Sequence, residues 1–375
     1  MDKAGFGLYV HWPFCQAKCP YCDFNSHVVQ DIDQSRWKSA YLSEIKRVSA
    51  RTGARVLNTI FFGGGTPSLM EPKTVDAIIS AARGAWQPAN DMEITLEANP
   101  TSVEASRFRA YSDAGVNRVS VGVQALNDPD LKALGRLHSV KEARNAFDIA
   151  RRTFDRVSFD LIYARQHQTL TQWKAELTEA LSMAADHLSL YQLTIEDGTA
   201  FGDRASRGTL AGLPNDDAGA DMFEVTQELT ERAGFFAYEI SNHARPGAES
   251  RHNLIYWKSG QWAGIGPGAH GRLNLDNSRI ATETHLAPLV WLKAVETEGN
   301  GESLQSILSP EDREVETIMM GLRLANGLPY STFSKYTNNI NDLIELGLIE
   351  RTDESIRTTQ KGRPLLNAIL RQILA

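Results

Sequence analysis

The chain has 375 residues, with 39 basic and 46 acidic side chains and a formal net charge of -7 at neutral pH. This length is too great for one ordinary hydrophobic core and favours a large α/β domain with a smaller second domain. The acidic balance argues against a protein that coats nucleic acid. With no apolar run long enough to span a bilayer and no signal-peptide pattern at the start, we expect a cytoplasmic protein. Peripheral membrane contact and self-association stay open.

Apolar runs of strand length alternate along the chain with segments of helical periodicity, which is typical of βα units around a parallel sheet. The predicted strands are Gly7–Trp12, Val56–Phe62, Met92–Ala98, Arg118–Val123, Val157–Tyr163, His187–Thr194 and Phe235–Ser241. The predicted helices are Lys73–Trp86, Ser102–Ala114, Val140–Thr153, Leu170–Ala185 and Ala218–Ala233. Such units predict a partial α/β barrel, in which the functional residues collect at the carboxyl ends of the strands.

The composition changes after about Gly271, where strand-like alternation gives way to a polar stretch and then to helices. We therefore predict a barrel domain over residues 1–271 and a small, α-rich C-terminal domain over residues 272–375. Its expected helices, Glu311–Leu324, Tyr330–Tyr336 and Asn339–Leu346, precede a short hairpin, as in a winged-helix module. Because the tail is not strongly basic, we favour a docking role over DNA binding.

The three cysteines of the chain are Cys15, Cys19 and Cys22, in the loop after the first predicted strand. Such short spacing in a reducing compartment indicates a metal site rather than disulfides. Three thiolates can ligate three irons of a [4Fe–4S] cluster and leave the fourth iron open to a small molecule. The alternative is a structural zinc ion, with His11 or His27 as the fourth ligand.

Polar and glycine motifs follow the next three predicted strands. Gly63-Gly-Gly-Thr-Pro67 follows the second strand, Glu97 and Asn99 end the third, and Gln124 follows the fourth. Successive glycines let the backbone approach a ligand and expose its N–H and C=O groups, although a tight βα turn also uses glycine. We expect these motifs and the cysteine loop to meet at one face of the barrel.

The cysteine spacing after one strand, followed by Gly-Gly-Thr-Pro after the next, resembles the radical S-adenosylmethionine superfamily. The resemblance implies a [4Fe–4S] cluster on the three cysteines, with S-adenosylmethionine on the open iron. The residues that it implies for the S-adenosylmethionine region are Tyr9, Gly64, Gly65, Thr66, Glu97, Gln124, Arg136 and Asp160. Carboxylates can accept hydrogen bonds from an ammonium or from ribose hydroxyls, and Arg136 can pair with the methionine carboxylate. The alternatives are a structural Arg136–Asp160 ion pair and a strand-capping role for Gln124.

Within that superfamily, Leu8-Tyr-Val-His-Trp-Pro-Phe-Cys15 and many later segments resemble the oxygen-independent coproporphyrinogen III oxidases and their relatives, the HemW haem chaperones. Phe24 stands where the oxidases have a further cysteine, and Cys15 comes earlier in the chain than its oxidase counterpart. His252-Asn-Leu-Ile-Tyr-Trp257 is similar to a chaperone element. We therefore expect a haem chaperone, with oxidative decarboxylation of coproporphyrinogen III or a zinc-binding interaction protein as alternatives.

The chaperone resemblance implies haem as the cargo and apo-haemoproteins as partners. It makes His252 a candidate haem ligand, with His243 and His270 as competitors, and imidazole is a common axial ligand of haem iron. The alternative is that His252 orients a loop by hydrogen bonding.

Residues 164–169 depart from the family's pattern. The chain reads Ala164-Arg-Gln-His-Gln-Thr169 where the family usually has a Gly-Leu-Pro-Gly-Gln-Thr-like turn after Asp160-Leu-Ile-Tyr. We expect the departure to alter the rim of the site, where Arg165 and His167 would offer polar groups to haem propionates.

Overall fold

The structure is a computed structural model that describes residues 4–375, apart from the side chains of residues 102 and 103. Its strands are β1 (Phe6–Trp12), β2 (Phe14–Cys15), β3 (His27–Val28), β4 (Val56–Gly64), β5 (Gln87–Ala98), β6 (Arg118–Gln124), β7 (Arg156–Tyr163), β8 (His187–Gln192), β9 (Phe236–Ala237), β10 (Asn242–Ala244), β11 (Gln261–Ile265), β12 (His270–Leu275), β13 (Ser278–Thr284), β14 (Glu302–Ile307), β15 (Leu328–Pro329), β16 (Ile349–Arg351) and β17 (Ser355–Thr358).

The helices occupy most of the connections between these strands. They are α1 (Gln34–Thr52), α2 (Pro72–Ala85), α3 (Ser102–Ala105), α4 (Phe108–Asp113), α5 (Asp128–Ala133), α6 (Val140–Thr153), α7 (Leu170–Met183), α8 (Ala200–Ser206), α9 (Asp216–Arg232), α10 (Arg251–Trp257), α11 (Pro288–Glu298), α12 (Pro310–Gly321), α13 (Thr337–Glu345) and α14 (Leu366–Leu374), with short 3₁₀ turns at Pro67–Leu69, Tyr330–Tyr336 and Arg363–Leu365. Across residues 4–375, no helix combines the length and the apolar character needed to cross a lipid bilayer.

Twelve strands form one mixed sheet, in the order β14-β13-β12-β11-β1-β4-β5-β6-β7-β8-β10-β9. The seven strands from β11 to β8 are parallel, and antiparallel strands extend both edges. The parallel strands therefore end on one side of the sheet, as the predicted partial α/β barrel requires. β1 lies between β4 and β11, with Tyr9 opposite both Phe61 and Gly264.

The first six predicted strands are confirmed, but the seventh is wrong. Within Phe235–Ser241 the chain forms only the two-residue strand β9, which pairs with β10 in antiparallel fashion at the sheet edge. The seventh parallel strand is β11, which pairs with β1 on the opposite side of the barrel. Its short stretch, Gln261-Trp-Ala-Gly-Ile265, gave too weak a strand signal to be recognised.

Aromatic side chains anchor β1 and the helices behind it. Trp37 of α1 stacks on Trp291 of α11, with ring centroids 5.5 Å apart, and Trp12 packs edge-on against Trp37 at 6.1 Å. The Tyr41 hydroxyl donates to the carbonyl oxygen of His11 at 2.6 Å. Each fully buried side chain of this kind stabilises the fold by roughly 1.5–3 kcal/mol, so the strand that leads into the cysteine loop is held firmly.

The small C-terminal domain has its own hydrophobic core, built by α12, α13, α14 and a three-stranded sheet in the order β15-β17-β16. The hairpin β16–β17 and the helices before it match the expected order of elements. The boundary at Gly271 stays a prediction. Because β12, β13 and β14 continue the large sheet after that residue, we propose that the second domain begins after Ile307.

Residues 164–169, which follow β7 and depart from the family's sequence pattern, keep a backbone conformation suited to glycine. Ala164 and His167, which stand where the family's turn carries glycines, have φ values of 57° and 60°. Arg165 is buried and pairs with Asp130 and Glu176, at 2.6 Å in both cases. The expectation that Arg165 faces haem propionates is therefore wrong: its guanidinium holds this turn onto α5 and α7.

We predict that His167→Gly is more stable than His167→Ala by about 1 kcal/mol. Both variants remove the imidazole, so they differ only in a Cβ atom at left-handed φ, which costs about 1–2 kcal/mol and is partly offset by the greater chain entropy of glycine. Urea denaturation of the two variants measures the difference. As a control, Ala175→Gly on the exposed face of α7 should lower stability by about 1 kcal/mol. A His167→Ala protein at least as stable as His167→Gly would contradict the prediction.

Candidate functional site

A cavity of about 330 Å³ lies at the carboxyl ends of the parallel strands. The predicted residues that line it are Cys15, Cys19, Cys22, Gly64, Gly65, Thr66, Glu97, Gln124, Arg136 and Asp160. Tyr9 lines a neighbouring cavity, and His252 is absent from the described residues that line either one. The structure therefore brings residues from the cysteine loop and from four successive strands to one place.

A chain of hydrogen bonds joins two of the cysteines across this cavity. The Thr66 hydroxyl donates to Cys15 Sγ at 3.4 Å, and Asn99 Nδ2 donates to that hydroxyl at 3.2 Å. Arg136 donates to the Asn99 side-chain oxygen, and its Nη1 reaches Cys19 Sγ at 3.5 Å. The glycine turn and the end of β5 thus orient the sulfurs, and outer hydrogen bonds of this kind also tune a bound metal centre.

The sequence places Asn99 at the end of a strand but does not by itself indicate a contact with the cysteines. Asn99 lies two residues after Glu97 and lines the same cavity. Alternate residues of an extended segment share a face. The two-residue spacing from Glu97 therefore indicates that Asn99 faces the same cavity. Ser120 and Tyr191 also line the cavity, and the sequence did not single them out.

The donors fit an iron–sulfur cluster better than a single zinc ion. The three thiols are free and line one cavity, yet among the described residues no three His, Cys, Asp or Glu side chains are gathered to hold one ion. Both ring nitrogens of His11 are hydrogen-bonded, to Tyr9 at 3.0 Å and to the Asn25 carbonyl at 2.9 Å. His27 Nε2 bonds the Asn25 side chain at 3.1 Å. The expected zinc alternative therefore lacks a preformed fourth ligand.

The glycine turn is held against the strand that carries the cysteine loop. Gly65 N–H donates to the Trp12 carbonyl at 2.7 Å, and Thr66 N–H donates to the Phe14 carbonyl at 2.8 Å. A Cβ atom on Gly65 would lie 2.7 Å from that Phe14 oxygen, so the close approach requires glycine. Since these two N–H groups already have partners, the turn offers carbonyl oxygens rather than those donors to a ligand.

Two carboxyl groups in the cavity have pKa values above their ordinary range. Burial, together with the nearby Asp160, raises the pKa of Glu97 to about 8. Burial also raises the pKa of Asp160 to about 6, against a hydrogen bond donated by the Ser120 hydroxyl at 3.2 Å. A ligand that carries a positive charge would favour their ionised forms.

Arg136 brings the opposite charge to the same cavity. Its Nε is buried without a hydrogen-bond partner, and it makes no ion pair with Asp160 in the part of the chain that the structure describes. The alternative, a structural ion pair between Arg136 and Asp160, is therefore not formed. A buried unpartnered donor suits a carboxylate, so the cavity can accept a ligand that carries both a cation and a carboxylate.

Gln124 ends β6 in a left-handed conformation, with φ of 72°. A non-glycine residue in this region stores about 1–3 kcal/mol of strain and occurs preferentially at functional sites. Its side chain lines the cavity beside Arg136, whose Nη2 donates to the Gly122 carbonyl at 3.0 Å. This placement favours a ligand-facing role over simple strand capping.

A second cavity, of about 480 Å³, adjoins the first and shares Phe24, Gly64 and Glu97 with it. Tyr9 and His270 line this second cavity, together with the aromatic side chains Tyr256, Trp257 and Trp262. The two cavities therefore meet at residues from the cysteine loop, the glycine turn and β5.

His252 lies beneath this second cavity. Its Nδ1 bonds the Thr59 hydroxyl at 2.6 Å, its Nε2 bonds the Tyr256 hydroxyl at 2.5 Å, and burial lowers its pKa to about 3. Neither nitrogen is free for a metal in this conformation, which matches the alternative of a hydrogen-bonding histidine. The competitor His243 is also buried, with its pKa lowered to about 3 by burial.

Comparisons with known proteins agree with this geometry. Residues 9–177 match the Radical SAM superfamily and residues 308–365 match the HemN C-terminal domain. The chain is therefore a radical S-adenosylmethionine protein.

The chain is 37% identical to heme chaperone HemW of Escherichia coli (strain K12), covering 98% of each chain. It is also 37% identical to Radical S-adenosyl methionine domain-containing protein 1, mitochondrial, of Bos taurus, covering 98% of this chain and 87% of that protein. The chain belongs to the family of HemW and these mitochondrial proteins.

The fold is also that of coproporphyrinogen III oxidase (HemN) from Escherichia coli. The TM-score is 0.83 at 21% sequence identity, covering 98% of this chain and 90% of the oxidase chain, and this likeness establishes the fold alone. Membership of the superfamily implies a [4Fe–4S] cluster and S-adenosylmethionine. The cavity with three thiols, paired carboxyls and an unpartnered arginine suits both groups.

We predict that S-adenosylmethionine affinity increases as pH rises from 6 to 8 and that Glu97 causes part of the increase. Without ligand, its pKa of about 8 keeps Glu97 mostly protonated below that pH, and a bound cation lowers this pKa, so binding releases a proton. One such proton raises affinity by up to about tenfold per pH unit. Calorimetric titration of the cluster-containing protein measures the slope.

Glu97→Gln is the matched control, because it keeps the titration of the ligand itself and removes only this carboxyl. Its curve should be flatter than that of the unchanged protein and should lie lower at pH 8. Parallel curves for the two proteins would exclude Glu97 as the titrating group.

Proposed function

We propose that the protein binds haem and transfers it to apo-haemoproteins, while carrying a [4Fe–4S] cluster and S-adenosylmethionine. The observation that carries the proposal is the pair of adjoining cavities, one with three thiols and one lined by aromatic side chains and two histidines. The aromatic walls suit the faces of a porphyrin. The proposal is further supported by relatives that are named heme chaperones over nearly the whole length of this chain.

In this proposal Cys15, Cys19 and Cys22 would each ligate one iron and would leave the fourth iron open to S-adenosylmethionine. When bound, these groups supply a one-electron reductive cleavage of the sulfonium, which is chemistry that the side chains cannot provide. A thiol must lose its proton to bind a metal. Burial raises the pKa of Cys15 and of Cys22, so both thiols keep their protons until the metal binds. Loading the metal therefore releases protons from the loop.

The remaining residues position S-adenosylmethionine. Arg136 would donate from its unpartnered Nε to the carboxylate of the methionine moiety, and Glu97 would accept from the amino group. Asp160 and Gln124 would hydrogen-bond to the ribose hydroxyls. Gly64, Gly65 and Thr66 shape the wall and support Cys15, and Tyr9 closes the side that faces the second cavity.

Phe24 favours carriage of haem over oxidation of a porphyrinogen. Its side chain is 61% exposed and lines both cavities, at the position where the oxidase pattern has a further cysteine. A phenyl ring supplies neither a proton nor a metal ligand, but it can pack on a porphyrin face.

The test is anaerobic reconstitution of the cluster followed by parallel assays. Ferric haem should produce a saturable absorption spectrum, and mixing the loaded protein with apomyoglobin should generate the spectrum of holomyoglobin. A second sample receives coproporphyrinogen III, a reductant and S-adenosylmethionine. Absence of saturable haem binding, or formation of protoporphyrinogen in the second sample, would overturn the proposal.

We predict that alanine at Cys15, Cys19 or Cys22 removes most of the iron, because each thiolate holds one iron of the cluster. Iron and sulfide analysis after reconstitution should give less than about a quarter of the unchanged protein's content. Lys18→Ala, at an exposed position of the same loop, is the control and should keep the full content. A cysteine variant with undiminished iron would remove that cysteine from the ligand set.

A further inference from the structure

We propose that the haem site is the second cavity and that His270 is the axial ligand of the haem iron. This inference rests on the proposed haem-binding function and gives it a location and a ligand. Two histidines line the second cavity, and they are His11 and His270. His11 has both ring nitrogens hydrogen-bonded, so His270 is the one that can offer a nitrogen to a metal.

His270 has the environment of an available ligand. Its side chain is 56% exposed, and its Nδ1 lies 4.0 Å from a carboxylate oxygen of Glu283 on the adjacent strand. Among the described residues, its Nε2 makes no hydrogen bond. At 4.0 Å the pair of His270 and Glu283 is not hydrogen-bonded, but a small rotation of either exposed side chain would bring the carboxylate within reach of Nδ1. Histidines that bind metals commonly give their other ring N–H to a carboxylate, which fixes the tautomer and the ring orientation.

The backbone brings His270 to the correct face of the sheet. It is the first residue of β12, directly after the turn that ends β11, and β11 is the parallel neighbour of β1. Gly266 and Gly268 make this reversal with φ values of 97° and 78°. Trp262 Nε1 donates to the His270 carbonyl at 3.0 Å and holds the residue at the cavity wall. His270 thus lies at the strand ends that also carry the cysteine loop.

The surrounding side chains suit a flat, apolar ligand. Tyr256 and Trp262 pack edge-to-face with ring centroids 4.6 Å apart, and Leu286 and Met320 complete an apolar wall. His252 supports this wall from below by its hydrogen bond to the Tyr256 hydroxyl. Its role here is that of a positioning residue, whereas His270 contacts the iron.

The experiment titrates ferric haem into the cluster-containing protein and into four variants, with absorption and electron paramagnetic resonance spectra as readouts. The variants are His270→Ala, His270→Met, His252→Ala and His285→Ala. His270→Ala should weaken binding by at least about tenfold and should abolish the histidine-ligand signature. Added imidazole should restore that signature. His270→Met should bind haem with a thioether-type spectrum, which reports on the ligand even if affinity changes little. His285→Ala, a histidine outside both cavities, should behave as the unchanged protein does.

The outcomes separate the inference from the function on which it rests. If the unchanged protein shows no saturable haem spectrum, the proposed function itself fails. If the unchanged protein binds haem and both His270 variants keep its spectrum and affinity, haem binding stands and the His270 assignment is overturned. Loss of the histidine signature in His252→Ala but not in His270→Ala would overturn it in favour of His252. Retained cluster absorption in each variant confirms that the barrel has folded.

Discussion

The packing of β1 between β4 and β11 is the constraint on which the site depends. On one side, β4 ends in the glycine turn, whose backbone bonds to the residues just after β1 and brings Thr66 to Cys15. On the other side, β11 turns back at His270. The second cavity is therefore lined by β1 and the end of β11, and it meets the first cavity at Gly64 and Glu97. The stacked tryptophans behind β1 keep that strand in place.

Burial governs the electrostatics of the cofactor cavity. It disfavours the charged forms of Glu97, Asp160 and the thiols of Cys15 and Cys22, since each has a pKa above its ordinary value. Without ligands Glu97 stays mostly protonated below pH 8, which limits the cost of placing it close to Asp160. A metal and a zwitterionic ligand supply the charges that make the ionised forms favourable, so protonation of the site and its loading are linked.

Local patterns were sufficient to predict the six barrel strands, the cysteine loop and the motifs at the ends of the next three strands, because strand ends in a parallel sheet converge whatever their exact registers. Arg136 and Asp160 were expected from the family resemblance, and Ser120 and Tyr191 were missed. The sequence did not reveal features that depend on tertiary partners. β11 is short and carries glycine, the strands after Gly271 pair with the large sheet, and the orientation of His252 depends on Thr59 in another strand. The sequence shows that His167 replaces a glycine of the family's pattern. It does not show that His167 keeps the left-handed backbone conformation that glycine would adopt there.

The contact between the two cavities has a thermodynamic consequence. Glu97 lines both cavities. Burial raises the pKa of Tyr9 and of Tyr256 in the second cavity, and the nearby Glu97 carboxylate raises each pKa further. A cationic ligand in the first cavity brings its own positive charge together with the negative charge that Glu97 gains on ionisation, so the two charges oppose each other at the second cavity. The link between the cavities is therefore the proton on Glu97, because any ligand that changes the charge near this carboxyl changes its ionisation. Such coupling between two binding sites acts equally in both directions.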